Sequence, residues 1–166
     1  MERERSGRRA ARGRPASSVR VPRDTESTSW ASGPTVRARM QSQKTRDTAP
    51  ELAVRRILHS RGLRYRVDCR PMPEFRSRAD LVFRASKVAV FIDGCFWHGC
   101  PEHGRRQTKA NSTYWRQKVA RNAERDRRFD DALREAGWVP IRVWEHQDPA
   151  DVADEIEATV RSRHNR

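Results

Sequence analysis

The sequence has no long apolar run. No stretch approaches the roughly 20 residues that a membrane span needs, so no membrane role is expected. The N-terminus is basic but lacks the apolar segment of a secretory signal, and export is not expected either. Cysteine is scarce and odd in number, with only Cys69, Cys95 and Cys100. Without an export signal, that count argues against a disulfide framework and suits the close pair to a metal instead. Acid is short as well. The 22 Asp and Glu are outnumbered by 36 Lys and Arg, for a formal net charge of +14 and a pI near 11.2. Such an excess says little about fold, but it favours a polyanionic partner, nucleic acid above all.

Large apolar side chains are nearly missing from residues 1–43, where Trp30 and Met40 stand almost alone among Arg, Ser, Gly, Pro and Thr. A segment that cannot bury apolar surface does not offset the entropy of ordering, so 1–43 reads as a disordered basic arm. Residues 44–166 read as one domain.

Within that domain, Thr48 followed by Pro50 and Glu51 opens a helix whose apolar face runs through Leu52, Ile57 and Leu58 and which Gly62 stops. "LRYRVD" alternates as a strand, and "ADLVF" and "KVAVFID" form two more, joined as a hairpin through Ala85, Ser86 and Lys87. A long charged helix is capped at Ser112 and closed at Gly137. The strand "WVPIRVWEH" follows, and then a last helix capped by Asp148. The order α-β-β-β-α-β-α predicts an α/β fold with a mixed central sheet flanked by helices.

Chemistry concentrates in "VAVFIDGCFWHGCPEHG", from Val88 to Gly104. If the hairpin forms, Asp80 at the start of one strand lies near Asp93 at the end of the other, with Glu51 on the first helix. Hard oxygen ligands at neighbouring strand ends suit Mg²⁺, and His98 is then a nearby base. The same acids also suit plain solvated strand ends. Cys95, Cys100 and His103 form C-x₄-C-x₂-H, and His146 follows a distant strand; two thiolates and two imidazoles make a closed structural Zn²⁺ set. Unrelated free cysteines are the alternative. Phe96 and Trp97, set between those ligands, suit either insertion between base pairs or packing beneath the loop.

Five strings in register carry a resemblance: "TRDTAPE", "DLVF", "VFIDGCFWHGCPEHG", "YWRQKVARNAERDRR" and "GWVPIRVWEH". Together, from about Met40 to His146, they resemble the very-short-patch-repair endonucleases, which nick DNA at T:G mismatches. The resemblance implies a restriction-endonuclease-like core, catalytic Mg²⁺ and a structural Zn²⁺. It places the metal aspartate on Asp80, and on Ile92 and Asp93 the strand end whose backbone carbonyl meets Mg²⁺. The water-activating histidine falls on His98 and the first-helix acid on Glu51. Wedge aromatics fall on Phe96, Trp97 and Trp115, a minor-groove methionine on Met40, and mismatch contacts on Lys118 and Asn122, one helical turn apart. The zinc set remains Cys95, Cys100, His103 and His146. Two departures stand out: some members carry His where this chain has Asp93, so the general base is either shared or His98 alone, and the usual Pro before the metal aspartate is Ala79.

The expected substrate is therefore double-stranded DNA with a T:G mismatch arising from deaminated 5-methylcytosine. That links the chain functionally to a cytosine-5 DNA methyltransferase and to mismatch-repair proteins. A cytoplasmic, nucleoid-associated monomer is expected. A restriction-type nuclease acting on matched DNA and a non-catalytic, zinc-braced DNA-binding module are the rival readings.

Overall fold

The computed structural model describes residues 46–74, 76–104 and 112–164, together with Thr35 and Ala38. Met40 and nearly all of the arm expected over 1–43 lie outside the described residues. Helix α1 spans Ala49–Ser60, strand β1 Arg66–Cys69, β2 Ala79–Phe83 and β3 Val88–Asp93. The short helix α2 (Cys95–His98), the long helix α3 (Ser112–Glu135), strand β4 (Val139–Trp144) and helix α4 (Pro149–His164) follow.

The strands lie side by side in the order β1-β2-β3-β4. β1–β2 and β2–β3 are antiparallel, while β3–β4 is parallel, so the sheet is mixed. The parallel pair needs a crossover, and α2 with α3 supplies it. Side chains alternate across the pleat. Leu81, Phe83, Val88, Val90, Ile141 and Val143 face Val54 and Leu58 of α1 and Val152, Ala153 and Ile156 of α4. Val82, Ala89 and Phe91 point the other way, against Phe129 and Leu133 of α3. The result is an α/β fold with helices on both faces of one four-stranded sheet. β3, covered on both sides, reads accordingly as an almost unbroken apolar run.

The strand expected over 138–146 is shorter, Val139–Trp144, and Ser112 is the first residue of its helix rather than the cap; two further differences have clear local causes. The strand expected from Leu63 begins only at Arg66, because the Leu63 N–H returns 3.0 Å to the Leu58 carbonyl and, with Gly62 at φ +81°, closes α1. The segment after β3 is a one-turn helix rather than a loop. It ends at Gly99, where φ is +73° and an added Cβ would fall 2.7 Å from Val119 Cγ1, so a side chain has no room. Among the described residues no helix is long and apolar enough to cross a membrane.

Candidate active site

The antiparallel register of β2 on β3 pairs Leu81 with Val90, which sets Asp80 beside the last residues of β3. Asp80 Oδ2 accepts the Ile92 N–H at 2.7 Å. Around this point opens a cleft of about 770 Å³, lined by Glu51, Asp80, Asp93, Trp97, His98 and Arg142 among others. Four of the expected catalytic residues, from α1, β2, β3 and the end of α2, thus share one cavity. Burial pushes the Asp80 carboxyl up to about 6. The charges of Glu51 and Asp93 push the same way, against the Ile92 N–H and the Arg55 charge. A carboxylate held unwillingly ionised beside two other acids is an environment that a divalent cation relieves.

Glu51 is 5% exposed, and its oxygens are already engaged. Oε2 accepts from the Asp47 N–H at 3.0 Å and from Arg55 at 2.8 Å, and Oε1 accepts the Thr48 hydroxyl at 2.9 Å. Thr48 is the N-cap of α1, as its sequence suggests, but its hydroxyl turns to Glu51 rather than to the backbone of the first turn.

His98 reaches the cleft from the last position of α2. Its Nδ1 lies 2.7 Å from Asp126 Oδ2 on α3 and 3.5 Å from Asp93 Oδ1. Burial pulls the imidazole pKa down. The Asp126 hydrogen bond and the charges of Asp93 and Asp126 outweigh it, so His98 titrates above its ordinary value. Asp126 is invisible to sequence reasoning, standing as one acid in the charged run "ERDRRFDD". Arg142, in the middle of β4, was missed in the same way. It donates to both Asp93 oxygens at 2.9 and 3.1 Å and to Asp130 at 2.8 Å.

Cys95, Cys100, His103 and His146 come together, with one ligand atom from each lying within 4.8 Å of all the others. His103 Nδ1 is 4.0 Å from Cys95 Sγ and 3.9 Å from Cys100 Sγ, and His146 Nδ1 is 3.0 and 3.7 Å from the same two sulfurs. A tetrahedral Zn²⁺ with ordinary Zn–S and Zn–N bonds has ligand–ligand edges of about 3.3–3.8 Å, so this donor set fits that ion. Glu145, next to His146, accepts the Cys95 N–H at 2.8 Å and caps the start of α2.

Phe96, Trp97 and Trp115 form an edge-to-face cluster with centroid separations of 5.1–5.6 Å. Phe96 and Trp97 are half-buried, whereas Trp115 is 3% exposed and lies in the interior. Lys118 Nζ sits 5.1 Å from the Trp97 ring centroid, and Asn122 donates to the Trp97 carbonyl at 2.9 Å. The two α3 residues expected at a mismatch therefore hold the aromatic turn.

Comparison with known proteins gives this cleft a context. A family described as "DNA mismatch endonuclease Vsr" matches residues 33–103. The chain is 46% identical over 128 residues to the type II nicking enzyme V.NaeI of Lentzea aerocolonigenes, covering 76% of this chain and 75% of that one. It is 34% identical to the type II nicking enzyme V.NmeDIP of Neisseria meningitidis serogroup C, over 75% of this chain and 84% of the other. It is 35% identical to the DNA mismatch endonuclease Vsr of Escherichia coli K12, over 64% and 66%. The protein is a DNA endonuclease, a hydrolase of phosphodiester bonds. Asp80 and Asp93 sit at neighbouring strand ends with Glu51 and His98 reaching the same cleft from helices, and the relatives named are nicking and mismatch endonucleases. The chain belongs to the Vsr family.

Proposed function

We propose that this endonuclease nicks one strand of duplex DNA beside the thymine of a T:G mismatch, in a Mg²⁺-dependent reaction on a restriction-endonuclease-like core. The observation that carries the proposal is the juxtaposition, on one cleft, of Asp80, Asp93 and His98 with Trp97, whose neighbour Phe96 is also half-buried. Asp80 and the Ile92 backbone carbonyl would hold Mg²⁺, a hard donor set suited to it. When bound, the ion supplies charge stabilisation to the phosphate being cleaved. His98 takes the proton of the attacking water, with Asp126 fixing the ring through Nδ1. Glu51 lends negative charge to the metal side of the cleft, and Arg55 and Thr48 hold it there.

Recognition follows from the aromatic turn. Phe96 and Trp97 wedge into the duplex, supported from beneath by Trp115, while Lys118 and Asn122, which hold this turn in the DNA-free protein, contact the mismatched pair once it is opened, and Met40 enters from the minor groove. A mispaired step stacks poorly, so opening it costs less than opening a matched one, and that difference is itself selective. Zn²⁺ at Cys95, Cys100, His103 and His146 braces the turn. T:G pairs arise where 5-methylcytosine deaminates, which ties this activity to a cytosine-5 DNA methyltransferase and to mismatch repair. The enzyme acts as a cytoplasmic monomer. That two relatives are nicking enzymes and another is a mismatch endonuclease supports the reading.

The deciding assay uses labelled duplexes with a T:G mismatch in varied contexts, against the matched C:G duplexes, each with Mg²⁺ or EDTA. Mg²⁺-dependent cutting of the thymine strand alone is expected. Equal cutting of matched DNA would replace this function with a restriction-type one, and binding without any cutting would leave a DNA-binding module. The brace has its own check. Purified protein is expected to carry one zinc per chain by elemental analysis, and Cys100→Ser to lose it together with the proteolytic resistance of residues 95–104. A Cys100→Ser protein with full zinc content would remove the four-ligand assignment.

A further inference from the structure

We propose that Arg142 is a positioning residue of the nuclease centre: by clamping Asp93 and Asp130 and lying against Asp126, it fixes the two carboxylates that flank His98. The inference rests on the reading of this cleft as the catalytic one. Arg142 stands in β4 between Ile141 and Val143, both buried in the core. A charge at such a position loses hydration and has to recover it from partners. It has them on two elements. Nη1 donates to both oxygens of Asp93 on β3 (2.9 and 3.1 Å), and Nε donates to Asp130 on α3 at 2.8 Å. Nη2 lies 3.7 Å from Asp126 Oδ1. The guanidinium rests 4.4 Å from the Phe91 ring centroid, and Phe91 is held edge-on by Phe129.

Two features point to a role for this cluster beyond stability. Buried ion pairs return little net stability compared with apolar packing. This one also leaves Asp130 Oδ1 buried without a hydrogen-bond partner, a cost the fold carries uncompensated among the described residues. What the cluster does fix is geometry. His98 Nδ1 lies 2.7 Å from Asp126 and 3.5 Å from Asp93, and Arg142 reaches the same two acids at 3.7 and 2.9 Å. With both its oxygens engaged by Arg142, Asp93 is held at a fixed place beside His98. The planar fork matters here, because a lysine would bring the charge without the paired donors.

The test uses the full chain as Arg142→Met, Arg142→Lys, Asp126→Asn and Arg142→Met/Asp126→Asn. Single-turnover nicking and duplex affinity are measured on whichever duplex the wild type cuts, together with imidazole ¹⁵N NMR of the DNA-free protein. Loss of the clamp is expected to slow nicking about 100-fold, the scale of a sub-ångström misplacement, with affinity changed less than threefold. Arg142→Lys should recover only part of that rate. The double variant should lose less than the product of the two single losses, because both act through His98, and the His98 Nδ1 signal should shift in both Arg142 variants. Rates within threefold of wild type, losses that multiply with Asp126→Asn, or an unmoved His98 signal would each overturn the proposal. If Arg142→Met does not fold, Arg142→Lys decides alone, and full activity there refutes the clamp. Wild-type cutting of matched DNA only would refute the mismatch function while leaving this comparison intact. The NMR arm needs no DNA at all.

Discussion

Asp80→Asn is expected to abolish nicking, by three orders of magnitude or more, and at the same time to make the metal-free protein more stable. Asparagine keeps an oxygen for the Ile92 N–H, which is now 2.7 Å from Oδ2, so the local backbone has no reason to move. It removes the negative charge that would hold a divalent cation. The stability change follows from the raised pKa. Burial, with Glu51 and Asp93 adding to it, pushes this carboxyl up to about 6, above the roughly 3.9 of an unfolded chain. Between those values the folded state binds more protons than the unfolded one. The wild type therefore gains stability as pH falls from 6 toward 4, and above pH 6 it carries the full penalty of an ionised Asp80. Two pH units correspond to about 3 kcal/mol, an upper figure that relaxation will reduce. Thermal melts in EDTA at pH 7.5 should thus place Asp80→Asn several degrees above wild type, with the gap closing near pH 4. Added Mg²⁺ should raise the melting temperature of the wild type and leave the variant where it was, since a ligand stabilises only the state that binds it. Nicking retained within tenfold would remove Asp80 from the chemistry. A variant less stable at pH 7.5 would show that the site is not under electrostatic strain.

Much of this cleft was legible in the sequence, and the reasons are local. The apolar runs "ADLVF" and "KVAVFID" mark two neighbouring strands, and the short connection between them makes a hairpin with a narrow choice of register. Together these place Asp80 at the end of β3. The spacing of Cys95, Cys100 and His103 is short enough for one turn of chain to gather them. His146 was reachable because β4 runs parallel to β3 and so ends beside the same loop. The unread part depends on contacts across elements. Asp126 and Asp130 are one helical turn apart on α3, in a helix charged on nearly every side, and nothing local separates those two acids from the solvated ones. The usable signal lay in the strand: in "PIRVW" a lone arginine interrupts an apolar run at a position that alternation sends toward α3, and such a residue needs an acid opposite. Trp115 is a milder case. Its place beside Tyr114 at the start of a charged helix does not distinguish a wedge from a support, and only packing shows it buried under Phe96 and Trp97.

The second large effect is expected at His98. Replacing it with alanine should slow nicking by about 10²–10⁴-fold, the usual contribution of a positioned general base, while T:G duplex affinity stays within a few-fold. Asp126→Asn should give a smaller loss, and the pair His98→Ala/Asp126→Asn should be no slower than His98→Ala. Asp126 acts only through the ring whose Nδ1 it meets at 2.7 Å. The pH–rate profile separates this from a general loss of structure. Burial lowers the imidazole pKa, but the Asp126 hydrogen bond and the Asp93 and Asp126 charges more than offset it, so protonated His98 persists above its ordinary range. A base must be unprotonated to act. Wild-type nicking should therefore rise with pH through a midpoint above that of an ordinary histidine. Asp126→Asn removes the anion that stabilises the imidazolium and should move that rising limb to lower pH, even as it lowers the plateau by loosening the ring. Asp93→Asn should move the limb in the same direction with less loss of plateau, because Asp93 stands 3.5 Å away and faces Arg142. A His98→Ala enzyme that keeps wild-type rates, or an Asp126→Asn profile displaced to higher pH, would take the proton-transfer role away from this histidine.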